Sequence, residues 1–217
     1  GFFEEYAYHL VAAARSKSTE KMFGFTGHVY AFDSTTIDLC LEVFQWAKFR
    51  KHKGGIKVHT LYDIESQVPA FFHITVAATS DIKVMPEIPY EKGAYYIFDR
   101  GYNDFANLYK IEQIEATFVI RAKKNLKFKQ ISWKRRLPKN VLSDSTIEFV
   151  VYKSSKDYPA TLRRVVYLDE EQGREFMFLT NNFELPASVI AELYHNRWNI
   201  ELFFKWLKQH LKIKKFW

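Results

Sequence analysis

The alternation of apolar and polar positions divides the chain into recognisable elements. Residues 2–14 are aromatic and alanine-rich and read as a short helix, followed by a basic, glycine-containing linker to residue 27. The run from His28 to Asp33 (His-Val-Tyr-Ala-Phe-Asp) is apolar and reads as a buried strand closed by an acid. Residues 38–48 have the pattern of a short helix, and Phe49 to Gly55 that of a basic, glycine-containing loop. Ile56–Asp63 and Val68–Val76 are strand-like, and the five residues from Asp63 to Gln67 between them suit a hairpin turn. A further apolar run, Ala94 to Phe98, again ends in an acid, Asp99. Residues 103–115 look helical, 116–121 strand-like, and Pro186 to Lys214 a long helix opened by its proline.

Between residues 123 and 180 the character changes to charge clusters, β-branched residues alternating with charged ones, and turn signals such as Lys156-Asp-Tyr-Pro159. This segment reads as a β-rich insertion placed before the last helix. The expected division is therefore a helix and linker at 1–27, an α/β body formed by 28–122 together with 181–217, and the insertion at 123–180. Early hairpins and later crossover connections define a mixed α/β class.

Composition sharpens this picture in two ways. The chain has 217 residues, 47% of them hydrophobic, which is enough to bury a full core. Its net charge of +7 favours a polyanionic partner, either nucleic acid or an anionic membrane surface. No apolar run is long enough to span a bilayer, so nucleic acid is the stronger expectation. The single cysteine, Cys40, lies in an apolar stretch and cannot form an internal disulfide. A reducing, cytoplasmic setting fits. A chain that stops on Phe216-Trp217 reads as a piece of something longer.

Asp33 and Asp99 share a context, each following an apolar strand. A buried carboxylate needs a partner. If the two strands are neighbours the carboxylates repel, and a divalent cation resolves the repulsion. The alternative is that each acid caps the turn that follows it. On the terminal helix, at roughly 100° per residue, Tyr194, Arg197, Glu201 and Lys208 fall within one narrow stripe. That stripe borders the apolar face made by Leu193, Ile200, Phe204 and Leu207. Glu201 on such a rim can ligate a metal while Arg197 and Lys208 meet phosphate oxygens. The plainer alternative is an Arg197–Glu201 ion pair on an amphipathic helix.

At this spacing the sequence resembles a known family. Tyr194-x2-Arg197-x3-Glu201-x6-Lys208 matches the Y-x2-R-x3-E-x6-K signature of DDE transposases of bacterial insertion sequences, the insertion-sequence-4-like group. Trp46-Ala-Lys-Phe-Arg-Lys51, Gly55-Ile-Lys-Val-His-Thr-Leu-Tyr-Asp63, Asp81-Ile-Lys83 and Phe98-Asp-Arg-Gly-Tyr102 are similar as well. The likeness runs from about His28 to the end.

The resemblance implies a ribonuclease-H-like fold in which Asp33 and Asp99 lie on adjacent parallel strands and a late helix brings Glu201 to them. It implies two Mg²⁺ or Mn²⁺ ions per active site, in keeping with three carboxylates and no Cys or His cluster. Its activity would be metal-dependent cleavage of transposon ends followed by attack of the freed 3′-hydroxyl on target DNA, as a homodimer on double-stranded DNA. Trp198 could stack on a flipped base. Arg100 and the run Lys48, Arg50, Lys51 and Lys53 are further candidates for DNA contact, as is the basic opening of the insertion, Lys123 to Arg136. Asp63 and Asp81 read as turn or loop residues, with support of a metal ligand from behind as the alternative. Two rivals stand beside this reading: a nuclease of the same fold that never joins strands, and a transposase-derived protein that only binds DNA.

Overall fold

In a computed structural model of the chain, residues 2–17, 22–39, 48–50 and 53–210 are described. They form two compact units, 1–89 with 197–217 and 90–196. The division falls inside the segment expected to be a single helix.

The first unit is built on an antiparallel sheet. It contains helix α1 (Phe2–Lys17) and strands β1 (Val29–Leu39), β2 (Lys48–Arg50), β3 (Lys53–Asp63) and β4 (Val68–Val76). β3 pairs β1 along its length and also pairs β2 and β4. The expected β3–β4 hairpin is present, and Gln67 adopts a positive φ of 56° in its turn.

Three expectations here are corrected. Asp33 does not close its strand. β1 continues six residues beyond it, to Leu39, with Asp33 opposite Thr60 in the ladder. The β-branched residues Thr35, Thr36 and Ile37 carry the pleat onward, as such side chains favour extended backbone. Their partners are Val58, Lys57 and Ile56. Likewise the described part of the stretch expected to be a loop is strand: Phe49 and Arg50 lie in β2, Lys53–Gly55 open β3, and the two strands pair antiparallel. A Cβ at Gly55 would stand 3.3 Å from both the Ile37 carbonyl oxygen and Ala77 Cβ, so glycine serves close strand approach there. The expected helix at 38–48 is strand at both ends, and residues 40–47, including Cys40, lie outside the described residues.

The second unit carries strands β5 (Tyr95–Phe98), β6 (Thr117–Arg121), β7 (Phe128–Trp133), β8 (Val141–Phe149), β9 (Leu162–Asp169) and β10 (Arg174–Thr180). Their order is β5-β6-β10-β9-β8-β7. β5 and β6 run parallel through the crossover helix α2 (Phe105–Gln113), and the other pairs are antiparallel. The strands of segment 123–180 are thus continuous with the sheet, because β10 pairs with β6 from Phe178↔Arg121 to Thr180↔Val119. A short helix α3 (Tyr152–Asp157) and helix α4 (Ala187–His195) complete the unit. Tyr96, Ile97, Phe98, Phe118, Val119, Ile120 and Leu179 are fully buried and form its centre. The mixed α/β class, with sheets flanked by helices, is as expected and consistent with a ribonuclease-H-like fold.

The long terminal helix is in fact two, α4 and α5 (Trp198–His210), broken at Asn196–Arg197. The Asn196 amide nitrogen donates to the Glu192 carbonyl at 3.0 Å, a local side-chain bond of the kind that competes with helix continuation. Ile200 then donates to the Arg197 carbonyl, restarting the helix with a tight turn. Residues 211–217 lie outside the described residues.

Candidate active-site acids

In the first unit, the distant acids Asp33 and Glu201 are gathered on a single cation. Arg197, just ahead of α5, donates through Nη1 to Asp33 Oδ2 at 3.1 Å. Its Nη2 donates to Glu201 Oε1, one helical turn on. The Arg197 side chain is 15% exposed, Asp33 24% and Glu201 56%. Helix α5 packs Ile200 and Phe204 inward, and Phe203 lies against Tyr62 of β3 at a ring distance of 5.3 Å. This packing places the Arg197 and Glu201 face of the helix along β1. The sequence allowed Arg197 either a phosphate role or an ion pair with Glu201. The structure shows the ion pair and extends it to Asp33.

Behind Asp33 the strand is pinned by a polar cluster. The Ser34 backbone N–H donates to Asp33 Oδ1 at 2.8 Å, and the Ser34 hydroxyl donates to Asp81 Oδ1 at 2.6 Å. Lys57 Nζ stands 3.1 Å and His59 Nδ1 3.6 Å from the same Asp81 oxygen. His59 is wholly buried, with Nε2 3.0 Å from the Thr75 hydroxyl. Burial lowers its pKa to about 4, against the opposing pull of Asp81. Sequence reasoning took Asp81 for a loop residue. The signal was there, since Lys57, His59 and Asp81 all fall in the stretches that carry the family resemblance. Asp63, also read as a turn residue, is one: its Oδ1 accepts the N–H groups of Glu65 and Ser66 at 3.1 Å each, an Asx turn.

In the second unit, Asp99 ends β5 and leads into a 3-10 turn, Arg100–Tyr102. Here the strand-end expectation holds. The Tyr194 hydroxyl donates to Asp99 Oδ1 at 3.1 Å, and its ring is held by Phe178 at 4.8 Å. Tyr194, expected on the DNA, is 8% exposed and spends its hydroxyl on Asp99. Arg100, Trp198 and Lys208 are exposed. Lys51 lies outside the described residues, as do the side chains of Lys48, Arg50 and Lys53.

Comparison with known proteins decides the family. The family described as "Transposase DDE domain" matches residues 24–216, nearly the whole chain. The chain belongs to the DDE transposase family. A Sinorhizobium fredii protein (strain NBRC 101917 / NGR234) that bears a transposase name is 38% identical over 189 residues, 85% of this chain and 52% of its own length. A Geobacillus stearothermophilus protein named as a transposase for insertion sequence element IS5377 is 29% identical over 205 residues, 94% of this chain and 54% of its own. The chain thus spans about half the length of the curated relatives it matches.

A DDE domain implies use of divalent metal in general. The donor set fits a hard ion, since carboxylate oxygens and no thiolates are gathered. Among the described residues no three acidic, histidine or cysteine side chains stand together as a ready metal cluster. In this structure the guanidinium of Arg197 lies between Asp33 and Glu201, and it supplies the positive charge that those two carboxylates require. No helix among the described residues is long and apolar enough to cross a membrane.

Proposed function

We propose that the chain is the catalytic part of a cut-and-paste transposase. It cleaves a DNA strand at the transposon end and joins the freed 3′-hydroxyl to target DNA. Asp33, Asp99 and Glu201 are the acids of the reaction, and Asp33 and Asp99 are to stand side by side in the working enzyme. The observation that carries the reading is the gathering of Asp33 and Glu201, 168 positions apart, on Arg197. Two carboxylates turned toward one cation can be turned toward another, as a divalent ion would require.

Asp33, Asp99 and Glu201 would hold the divalent ions, Mg²⁺ or Mn²⁺. Bound there, such ions polarise a phosphoryl oxygen and lower the pKa of water or of a hydroxyl. The chain's own residues do the rest. Tyr194 orients the Asp99 carboxylate through its hydroxyl. Ser34 fixes one oxygen of Asp33 through its backbone N–H, leaving Oδ2 to be shared with the incoming charge. Arg197 is positioned to leave the carboxylates for a phosphate oxygen, because its fork suits either anion. Lys208 and Arg100, both exposed, add phosphate contacts, with Lys48, Arg50, Lys51 and Lys53. Trp198 is exposed and open to stacking. The DNA-bound protein is a homodimer. No separate observation favours the nuclease-only or binding-only rival.

The test is a cleavage and strand-transfer assay on labelled transposon-end duplex with Mg²⁺ or Mn²⁺. Asp33→Asn, Asp99→Asn and Glu201→Gln are each expected to lose activity roughly a thousandfold or more. Any one variant that cleaves at a near-normal rate is removed from the acid set. Cleavage without joined product would turn the reading to the nuclease.

A further inference from the structure

The second unit contains a cleft of about 320 Å³ that lies apart from the acids. It is formed where the β6–β7 turn faces the start of α2 and the middle of α3. Lys123, Asn125 and Lys127 line it from the turn, Asn103 and Phe105 from the start of α2, and Ser154 from α3. The turn is closed by the Leu126 N–H donating to the Lys123 carbonyl at 3.2 Å, which sets the two lysines on either side of it. Both lysines are exposed. Neither has an ion-pair partner among the described residues, whereas nearby Lys129, Lys134 and Lys139 are paired with Glu148, Asp144 and Glu170. Asp104, the neighbouring acid, is engaged by the Asn107 N–H at 3.0 Å as the cap of α2.

Asn103 adds a second, independent feature. Its Nδ2 donates to the carbonyls of Arg100 and Arg121 at 2.8 and 2.9 Å. That fixes the amide orientation and leaves Oδ1 as an acceptor, buried and without a partner among the described residues. An unsatisfied buried acceptor costs free energy unless a donor reaches it. A phosphate oxygen cannot fill that role. An exocyclic amino group of a base can.

We propose that this cleft receives one nucleotide of the DNA strand, its flanking phosphates on Lys123 and Lys127 and its base beside Phe105 with an amino group toward Asn103. The inference rests on the reading of the chain as a DNA-acting enzyme. The volume is at the lower end for a ligand site and suits a single nucleotide rather than a duplex. Asn103 is four residues from Asp99, so the two are no more than about 14 Å apart along the backbone. At about 3.4 Å per nucleotide along one strand of duplex, that bound is at most about four base steps, and the 3-10 turn at Arg100–Tyr102 shortens it further. The cleft therefore grips the strand a few nucleotides from the phosphate at Asp99, and it fixes which phosphodiester is presented for cutting.

Two measurements on the wild-type chain and on Lys123→Gln/Lys127→Gln test this. The first is DNA binding by fluorescence anisotropy across a range of salt. Loss of two phosphate contacts should lower the slope of log K against log salt by about 1.8, at about 0.9 per contact on duplex DNA. The second is acylation of lysines read by mass spectrometry. DNA should protect Lys123 and Lys127 at least about fivefold, the local counterpart of those contacts, with little effect at exposed Lys110. An unchanged slope together with unprotected lysines would overturn the cleft while leaving the DNA reading intact. A wild-type chain with no salt-dependent DNA binding would overturn both. Short dC oligonucleotides, which bear the amino group, should bind better than dT; equal binding would overturn the role given to Asn103 and its base.

Discussion

Two aspartate–arginine pairs among the described residues differ in how far they are sealed from water. In the β-rich segment, Arg163 grips Asp144 with Nε at 2.8 Å and Nη2 at 2.7 Å, and both side chains are almost fully buried. Arg163 also donates to the carbonyls of Asn182 and Leu185 at 3.2 and 2.6 Å. Lys134 closes over Asp144 at 3.0 Å. Burial alone would raise the Asp144 pKa, yet hydrogen bonds from Arg163 and Lys134 hold it below the usual carboxylate range. At the candidate site, Arg197 touches Asp33 through one nitrogen and Glu201 through another, and all three side chains remain partly open to water. A bidentate, desolvated pair cannot part without leaving an uncompensated charge. An arginine that gives one nitrogen to each of two partly exposed acids loses less on exchanging partners than a sealed bidentate pair does. The first pair ties β8 and β9 to the chain leading into α4. The second holds two carboxylates on one cation within reach of water.

The largest expected effect breaks the sealed pair. Arg163→Met leaves Asp144 buried with only Lys134 for company and should destabilise the protein by about 3–5 kcal/mol. Denaturant unfolding measures it, and a loss under about 1 kcal/mol would mean that Lys134 and water satisfy Asp144 unaided. The double replacement Asp144→Leu/Arg163→Met should recover much of that loss, because no lone charge is left behind.

The cluster around Asp81 stands between these extremes. Asp81 is partly exposed, but His59 at its side is fully buried. With a folded pKa of about 4 against an ordinary value of 6.5, the unfolded chain binds a proton that the folded chain refuses. Stability contributed by neutral His59 is complete above pH 6.5 and is lost as the pH falls toward 4. Its share of the slope approaches about 1.4 kcal/mol per pH unit within that window. His59→Gln should flatten the decline between pH 6.5 and 4. An identical pH profile for the two proteins would show that His59 binds its proton equally well folded and unfolded, the pull of Asp81 then cancelling the effect of burial.

These contrasts also show how far the sequence could be read. Asp99 was legible because an apolar run followed by Asp-Arg-Gly is both a strand end and a turn. Asp33 was legible as a chemical candidate but not as a mid-strand residue, since the strand continues on β-branched residues with polar neighbours that resemble a turn. The pairing of Arg197 with Glu201 followed from one-turn spacing. Its bond to Asp33 did not, because contact between residues 164 apart depends on tertiary packing that no local pattern encodes. The helix break at Asn196–Arg197 was hidden by an apolar periodicity that continues across it. Arg163–Asp144 was invisible for the same reason as the Asp33 contact, and nothing in the spacing of 19 residues marks those two charges as partners.

The smallest expected effect concerns the open pair, and its smallness is what distinguishes it. Arg197→Gln removes a partly exposed ion pair, which ordinarily contributes about 0–1 kcal/mol. Its melting temperature should therefore stay within a few degrees of wild type, far from the loss expected for Arg163→Met. On the metal role proposed for Asp33 and Glu201, the same substitution also takes away a cation that would compete with the metal. Mn²⁺ titrated calorimetrically into the variant should then bind more tightly, though by no more than about fivefold, since 1 kcal/mol corresponds to that factor. Catalysis should move the other way if Arg197 transfers to a phosphate oxygen when DNA arrives, with cleavage reduced although metal is held better. Unchanged Mn²⁺ affinity together with a large drop in melting temperature would place Arg197 with Arg163, as a structural cation, and the contrast between the two pairs would collapse.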